Sequence, residues 1–313
     1  MAGLKAIKLK IRSTEKTRKV TKAMEAVSAA KMRKAQQKAI AGRAYARAAV
    51  SILSRVSGSR EVANSPLLKE NTANKALYIV ITSDKGLAGA LNSAVLRATI
   101  ADITENGFNA ETASIVAIGK KANDFFSNRG FTIEQFYHNT DEVTDAVLGE
   151  VLSQVAARFA SGEVKVVKVA YQNFISTFEQ RPTLRTVFPL SLDELQKVVA
   201  DIVPAKGAFA QKEPEETPTT YTIEPSESDV LNAILPKLAG IFLHHALLET
   251  QASEHSARMV SMKSASDKAG EMKHSLTLQF NKARQAAITR EVSEITGGME
   301  AMHASPTKNK TMA

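Results

Sequence analysis

Ala76-Leu77-Tyr78-Ile79-Val80-Ile81-Thr82-Ser83-Asp84-Lys85-Gly86-Leu87-Ala88-Gly89 decides the fold class. The opening residues, Ala76 to Ile81, form a short unbroken apolar run, as expected for a strand covered on both faces. Ser83 to Gly89 reads as a turn, and the residues after it, to about Glu105, have helical spacing. The pattern then repeats. Ser114-Ile115-Val116-Ala117-Ile118 is a second strand ended by Gly119, Lys120–Ser127 a short helix, and Phe131–Tyr137 a third strand. Asp141–Phe159 reads as a helix with Val143, Val147, Val151 and Val155 on one side. Val164–Phe174 and Thr183–Leu190 are further strands. This alternation argues for an α/β sheet domain over residues 75–200.

Outside that domain the periodicity changes. Residues 1–60 read as one helix, rich in Ala, Lys, Arg and Met, without proline and with Gly42 as its one glycine between Leu4 and Gly58. Its apolar stripe runs through Leu4, Ile7 and Ile11, then Val20, Met24 and Val27, with Thr14 and Thr17 interrupting it. Residues 61–74 read as a connector. Residues 203–220, with Pro204, Gly207, Pro214 and Pro218, read as a flexible insertion or loop, followed by a short strand at 219–223. A second long helix is expected over 226–302, with Ser226 and Ser228 as N-cap candidates and Asp229 in the first turn. Its stripe includes Leu238, Ile241, Leu248, Met259, Met262, Ala269, Leu276, Ala283, Ala287, Val292 and Ile295. Pro236 should kink or restart that helix, Gly297-Gly298 should loosen its end, and 303–313 should be a disordered tail. At 1.5 Å per residue the two helices make rods of about 80 Å and more than about 100 Å. Each needs a partner for its stripe. The expected fold class is therefore α/β, with a long antiparallel coiled coil of the N- and C-terminal helices and a central Rossmann-like α/β domain.

Composition narrows the function. With no cysteine, disulfides, thiolate zinc sites and cysteine nucleophiles are excluded. Aromatic residues are only 5%, so much of the packing falls to Ala, Leu, Ile, Val and Met. No run approaches the ~20 apolar residues of a membrane span, and no apolar signal-peptide core is present, so export is not expected. The net charge of +9 is unevenly placed: residues 1–60 carry +14, the middle −6, and residues 226–313 +1. A basic arm of this kind expects an acidic partner.

Candidate chemistry is sparse. Asp84-Lys85-Gly86-Leu87-Ala88-Gly89 stands where phosphates are often cradled, but matches neither phosphate-loop pattern; a tight turn with glycines at positive φ is the better reading. His244-His245, His255 and His274 include no pair at ligand spacing on one helix face. Apart from Tyr45 the basic arm lacks the interleaved aromatic residues of a nucleic-acid surface, so no nucleic-acid partner is expected. Met24, Met32, Met259, Met262 and Met272 lie at helical spacing, as packing residues or as an adaptable sliding surface. No nucleophile–base pair, cofactor site or metal site stands out.

Four ordered segments resemble the gamma subunits of F-type ATP synthases. They are Thr17-Arg18-Lys19-Val20-Thr21-Lys22-Ala23-Met24-Glu25-Ala26-Val27, Ser83-Asp84-Lys85-Gly86-Leu87-Ala88-Gly89-Ala90-Leu91-Asn92, Arg258-Met259-Val260-Ser261-Met262-Lys263, and Asn281-Lys282-Ala283-Arg284-Gln285-Ala286-Ala287-Ile288-Thr289-Arg290-Glu291. The resemblance spans nearly the whole chain. It implies a central rotor shaft, one copy per complex and without catalytic residues or cofactors of its own. Such a shaft couples ion-driven c-ring rotation to the cycling of the beta catalytic sites. The implied partners are the alpha and beta subunits of the hexamer, the epsilon subunit and the membrane c-ring. The implied location is peripheral, on the cytoplasmic face of a bacterial inner membrane. By matching positions, Met24 is expected to meet the acidic lever loop of beta. Arg258, Gln285 and Thr289 are expected to meet the hexamer's catch loops, and Tyr221 and Glu224 to face the c-ring. Ala88 and Ala90 stand where relatives often carry cysteine and glycine, and Arg290 stands where glutamine is expected. The regulatory cysteines of chloroplast relatives are absent, and a chain that starts on the rotor helix suggests a bacterial source.

Overall fold

The structure is a computed structural model that describes residues 2–41, 66–139, 145–190 and 227–303. The expected helical stretch 42–60, the segment 203–220, the strand at 219–223 and most of the tail lie outside the described residues, as do Tyr221 and Glu224. The chain forms two compact units, Ala26–Ser261 and the pair Met1–Glu25 with Met262–Ala313. Each long helix contributes to both units, and part of the C-terminal helix is built into the core of the sheet.

The larger unit holds β1 (Ala76–Ile81), α2 (Leu91–Glu105), β2 (Ala113–Ile118), α3 (Lys120–Ser127), β3 (Thr132–Tyr137), α4 (Asp145–Ala160), β4 (Val166–Phe174) and β5 (Gln180–Phe188). These join the end of α1 (Ala2–Ala41) and the start of α5 (Glu227–His303). The sheet order is β3-β2-β1-β4-β5. β1 pairs in parallel with β2 and β4, β2 in parallel with β3, and β4 antiparallel with β5. All six residues of β1 are buried, which is why that run has no polar member. Leu77, Ile79 and Ile81 face a core completed by Leu148, Val151 and Phe159 of α4 and by Leu235, Leu238, Phe242, Leu243 and Leu247 of α5. Tyr78 and Val80 face the other side, against Val95, Leu96 and Ile103 of α2 and Phe126 of α3. Tyr78 donates its hydroxyl to Asp102 at 2.8 Å, and Lys168 pairs with the same carboxylate at 2.8 Å. The phenol is pushed well above its usual range, chiefly by burial.

The smaller unit is an antiparallel helix pair. Thr14 donates to the Met272 sulfur at 3.9 Å, and Lys273 meets Glu15 at 2.7 Å. Gly270 lies beside Arg18: a Cβ there would make an ordinary contact, 3.7 Å from the Arg18 Nε. On α5 the covered positions follow a heptad, with Met262, Ser266 and Ala269 buried, then Lys273, Leu276, Phe280, Ala283 and Ala287 half-buried.

One expectation is corrected here. The stripe of α1 does not shift to Val20 and Val27, which are each 58% exposed. The heptad phase set by Leu4, Ile7 and Ile11 continues instead through Thr14 to buried Thr21 and Ser28, then to Met32, Ala35 and Ala39. Thr21 tolerates burial because its hydroxyl donates back to Thr17 O and Arg18 O, both at 3.0 Å. Pro236 lies inside α5 without ending it. Its ring is exposed, so the helical hydrogen bond it forfeits is on the solvent side. Gly297 and Gly298 also stay within the helix, which continues to His303.

Candidate functional site

In doubly wound sheets, ligands bind beyond the carboxyl ends of the strands, where the strand order reverses. Here that place lies between β1 and β4, and α5 fills it. Phe174 at the end of β4 donates its N–H to Glu249 at 2.8 Å. Gln172 N–H reaches the Thr250 hydroxyl at 3.2 Å, and Ser253 donates to Gln172 O at 3.3 Å. Ser256 donates to Thr177 O at 2.7 Å. Next to β1, Gln251 Nε2 donates to Asn139 Oδ1 at 3.0 Å, and Asn139 Nδ2 donates to Thr82 O at 2.8 Å. Strand ends that elsewhere hold a ligand are thus hydrogen-bonded to a helix. Neither the motifs nor the stripe revealed this. The available signal was the small polar series Thr250, Ser253 and Ser256, spaced by three along α5.

The turn after β1 is held from within. Ser83 N–H donates to Asn92 Oδ1 at 3.0 Å, and Asn92 Nδ2 donates to Ser83 Oγ at 2.7 Å. Asp84 accepts the Lys120 N–H at 2.7 Å. Gly89 has the expected positive φ of 59°, but Gly86 does not; the second left-handed residue is Leu87, at 65°. The Gly86 carbonyl is taken by Arg258, whose Nε and one terminal nitrogen lie at 3.3 and 3.1 Å. Arg258 also pairs with Glu254 at 2.7 Å, and both are buried. Burial pushes the Glu254 carboxyl above its usual range, against the lowering effect of Arg258. Gly119, at the end of β2, permits no other residue: with φ 104°, a Cβ would lie 2.1 Å from Thr82 O.

The residues singled out in the sequence fall into three settings. Arg258 is buried and committed to partners in its own unit. Met24 is half-buried on α1. Gln285 and Thr289 lie one turn apart on the exposed end of α5, where Thr289 donates to Gln285 O at 3.0 Å. The Glu15–Lys273 pairing, extended along both helices, sets Gly3 opposite Gln285. Past that level Ile288, Val292, Ile295, Met299 and Met302 are all exposed. His245 lies 3.4 Å from Glu249, and His255 lies 3.5 Å from Arg258. Among the described residues no three potential metal ligands converge, and no helix is long and apolar enough to cross a membrane.

A sheet whose ligand crevice is filled by its own helix, with that helix running on uncovered, defines a class of protein built to present helices to partners. A family model described as ATP synthase matches residues 3–302. The ATP synthase gamma chain of Pelotomaculum thermopropionicum is 38% identical over 303 residues, 96% of this chain and 100% of that one. That of Staphylococcus saprophyticus is 35% identical with the same coverage. The fold is shared with a chain of the Tetrahymena thermophila mitochondrial ATP synthase central stalk and c-ring (22% identity, TM-score 0.57, 79% of this chain and 99% of that one). It is also shared with a chain of the Euglena gracilis mitochondrial ATP synthase (19% identity, TM-score 0.64, 99% of each). The chain belongs to the ATP synthase gamma chain family, the central-stalk subunit of ATP synthases.

Proposed function

We propose that this chain is the rotor shaft of an F-type ATP synthase on the cytoplasmic face of a bacterial inner membrane, present in one copy and without a catalytic site of its own. The observation that carries the reading is the uncovered end of α5. Ile288, Val292, Ile295, Met299 and Met302 repeat at alternating spacings of four and three, so they form one seam that lacks a partner among the described residues. An alpha–beta hexamer is the partner that covers it. Gln285 and Thr289, both exposed on α5, meet the catch loops of that hexamer. At Arg258 such a loop competes with Glu254 and Gly86 for the guanidinium. Met24, on the +14 arm, meets the acidic lever loop of beta. Tyr221 and Glu224 face the c-ring, beside the epsilon subunit. Shaft orientation then biases the conformational equilibrium of each beta site in turn as ion flow turns the ring.

The test is reconstitution with cognate alpha and beta subunits, followed by multisite ATP hydrolysis. One copy per hexamer and activity that depends on it are expected. A chain that neither joins the hexamer nor changes its activity ends the proposal. In the full complex, Met24→Lys sets a new charge against the lever and is expected to lower protons pumped per ATP more than it lowers assembly. An unchanged ratio removes Met24 from that contact.

A further inference from the structure

We propose that the hydrogen bonds between α5 and the carboxyl ends of the strands form a torsional clamp, which fixes the angle of α5 about its own axis within the larger unit. The inference rests on the rotor reading above and names the positioning residues through which torque passes from the sheet into the shaft.

α5 runs unbroken from Glu227 to His303, so a twist applied where it is seated in the sheet travels along it. It is held there on two faces. At about 100° per residue, Glu249, Ser253 and Ser256 point within about 60° of one another. They bond to β4 and its hairpin, at Phe174 N–H, Gln172 O and Thr177 O. Gln251 and Arg258 point within about 20° of each other, on the side about 180° away. They bond to Asn139 and to Gly86 O, beyond the ends of β3 and β1. Thr250 lies between the two sets and accepts the Gln172 N–H. The anchor points are themselves fixed: Asn139 to Thr82 O, and the turn that holds Gly86 through Ser83 and Asn92.

The opposition of the two sets matters more than their number. A helix bonded on one face can roll about those bonds as about a hinge. With bonds on opposite faces, rotation in either sense strains them. Apolar contacts such as those of Leu243 and Leu247 are non-directional and yield to small rotations. The hydrogen bonds do not. A turn of about 20° carries an atom about 5 Å from the helix axis through about 2 Å, which takes a bond of 2.7 Å, such as that of Ser256, out of reach. Thr250, Ser253 and Ser256 are fully buried, so a bond broken there is not replaced by one to water.

The test uses the full complex in sealed vesicles, with ATP hydrolysis and proton pumping measured together. The unaltered chain is compared with the combined variant Thr250→Val, Ser253→Ala and Ser256→Ala. The variant is expected to keep its ATP hydrolysis but to pump fewer protons per ATP. It should also lose the stimulation of hydrolysis that an uncoupler gives the unaltered complex, because a slipping shaft no longer works against the gradient. Thr250→Ser, which keeps the hydroxyl, is expected to match the unaltered chain. An unchanged ratio of protons to ATP in the assembled variant complex overturns the clamp. So do hydrolysis and pumping that fall in proportion, since a merely structural role would produce that. An unaltered chain that does not enter the hexamer instead ends the rotor reading, and the clamp with it. Where the combined variant does not assemble, Thr250→Val and Ser256→Ala taken singly decide the matter: each should lower the ratio in part, and an unchanged ratio in both overturns the proposal.

Discussion

Residues 235–256 and residues 278–302 belong to the same helix, yet their side chains live in opposite surroundings. In the first stretch Leu235, Leu238, Phe242, Leu243 and Leu247 enter the sheet core, while Glu249, Thr250, Ser253 and Ser256 bind strand ends and the hairpin. In the second, Leu278, Ile288, Val292, Ile295 and Met299 are exposed. Both stretches carry apolar residues at helical spacing. Periodicity therefore reports that a helix face exists, and not whether this chain covers it. The polar residues separate the two: in the first stretch they meet backbone groups of the sheet, and in the second they point to solvent.

Variants along α5 can break that comparison. The largest effect is expected at Arg258. Arg258→Met leaves Glu254 buried without its partner and Gly86 O without its donor, at a cost of about 3–5 kcal/mol. Leu243→Ala, in the sheet core, should cost about 3 kcal/mol through lost burial and a cavity. Both are read from the urea midpoint by tyrosine emission, since Tyr78 and Tyr171 are buried in this unit. Small losses in either variant would mean that the start of α5 is not part of the core.

A weaker effect depends on pH. Burial lifts the Glu254 carboxyl, so the folded chain keeps that proton where the unfolded chain has released it. Its contribution is most favourable below the ordinary carboxylate range and declines as pH rises through the lifted value. Urea midpoints between about pH 4 and pH 8 should show that decline, and Glu254→Gln should flatten it. The smallest effect belongs to the far end. Ile295→Ser should change the stability of the isolated chain by less than about 0.5 kcal/mol while weakening its incorporation into the hexamer. A large loss of stability in the isolated chain would show that the seam is already covered.

The sheet elements were legible because burial on both faces leaves a plain mark, the unbroken run Ala76–Ile81. The strand order was not, since it is fixed by contacts between residues far apart in sequence, such as Ala76 with both Ala113 and Val166. The phase of α1 was misread for a physical reason. Val20 and Val27 look like seam residues, but the buried positions are the smaller Thr21 and Ser28, and Thr21 satisfies its own hydroxyl locally. Of the candidate contact residues, Gln285 and Thr289 were recognisable only by resemblance. Nothing in their chemistry marks them. The setting of Arg258 was hidden because its partner Gly86 lies 172 positions away.

Gly119 sets a limit on how this chain can vary. With Thr82 O at 2.1 Å from any added Cβ, the end of β2 and the end of β1 are locked to one another by the lack of a side chain. A library of random substitutions selected for a folded chain should return glycine alone at this position. Val20, exposed on α1, should accept nearly everything, although by hydrophobicity it looks the more constrained of the two.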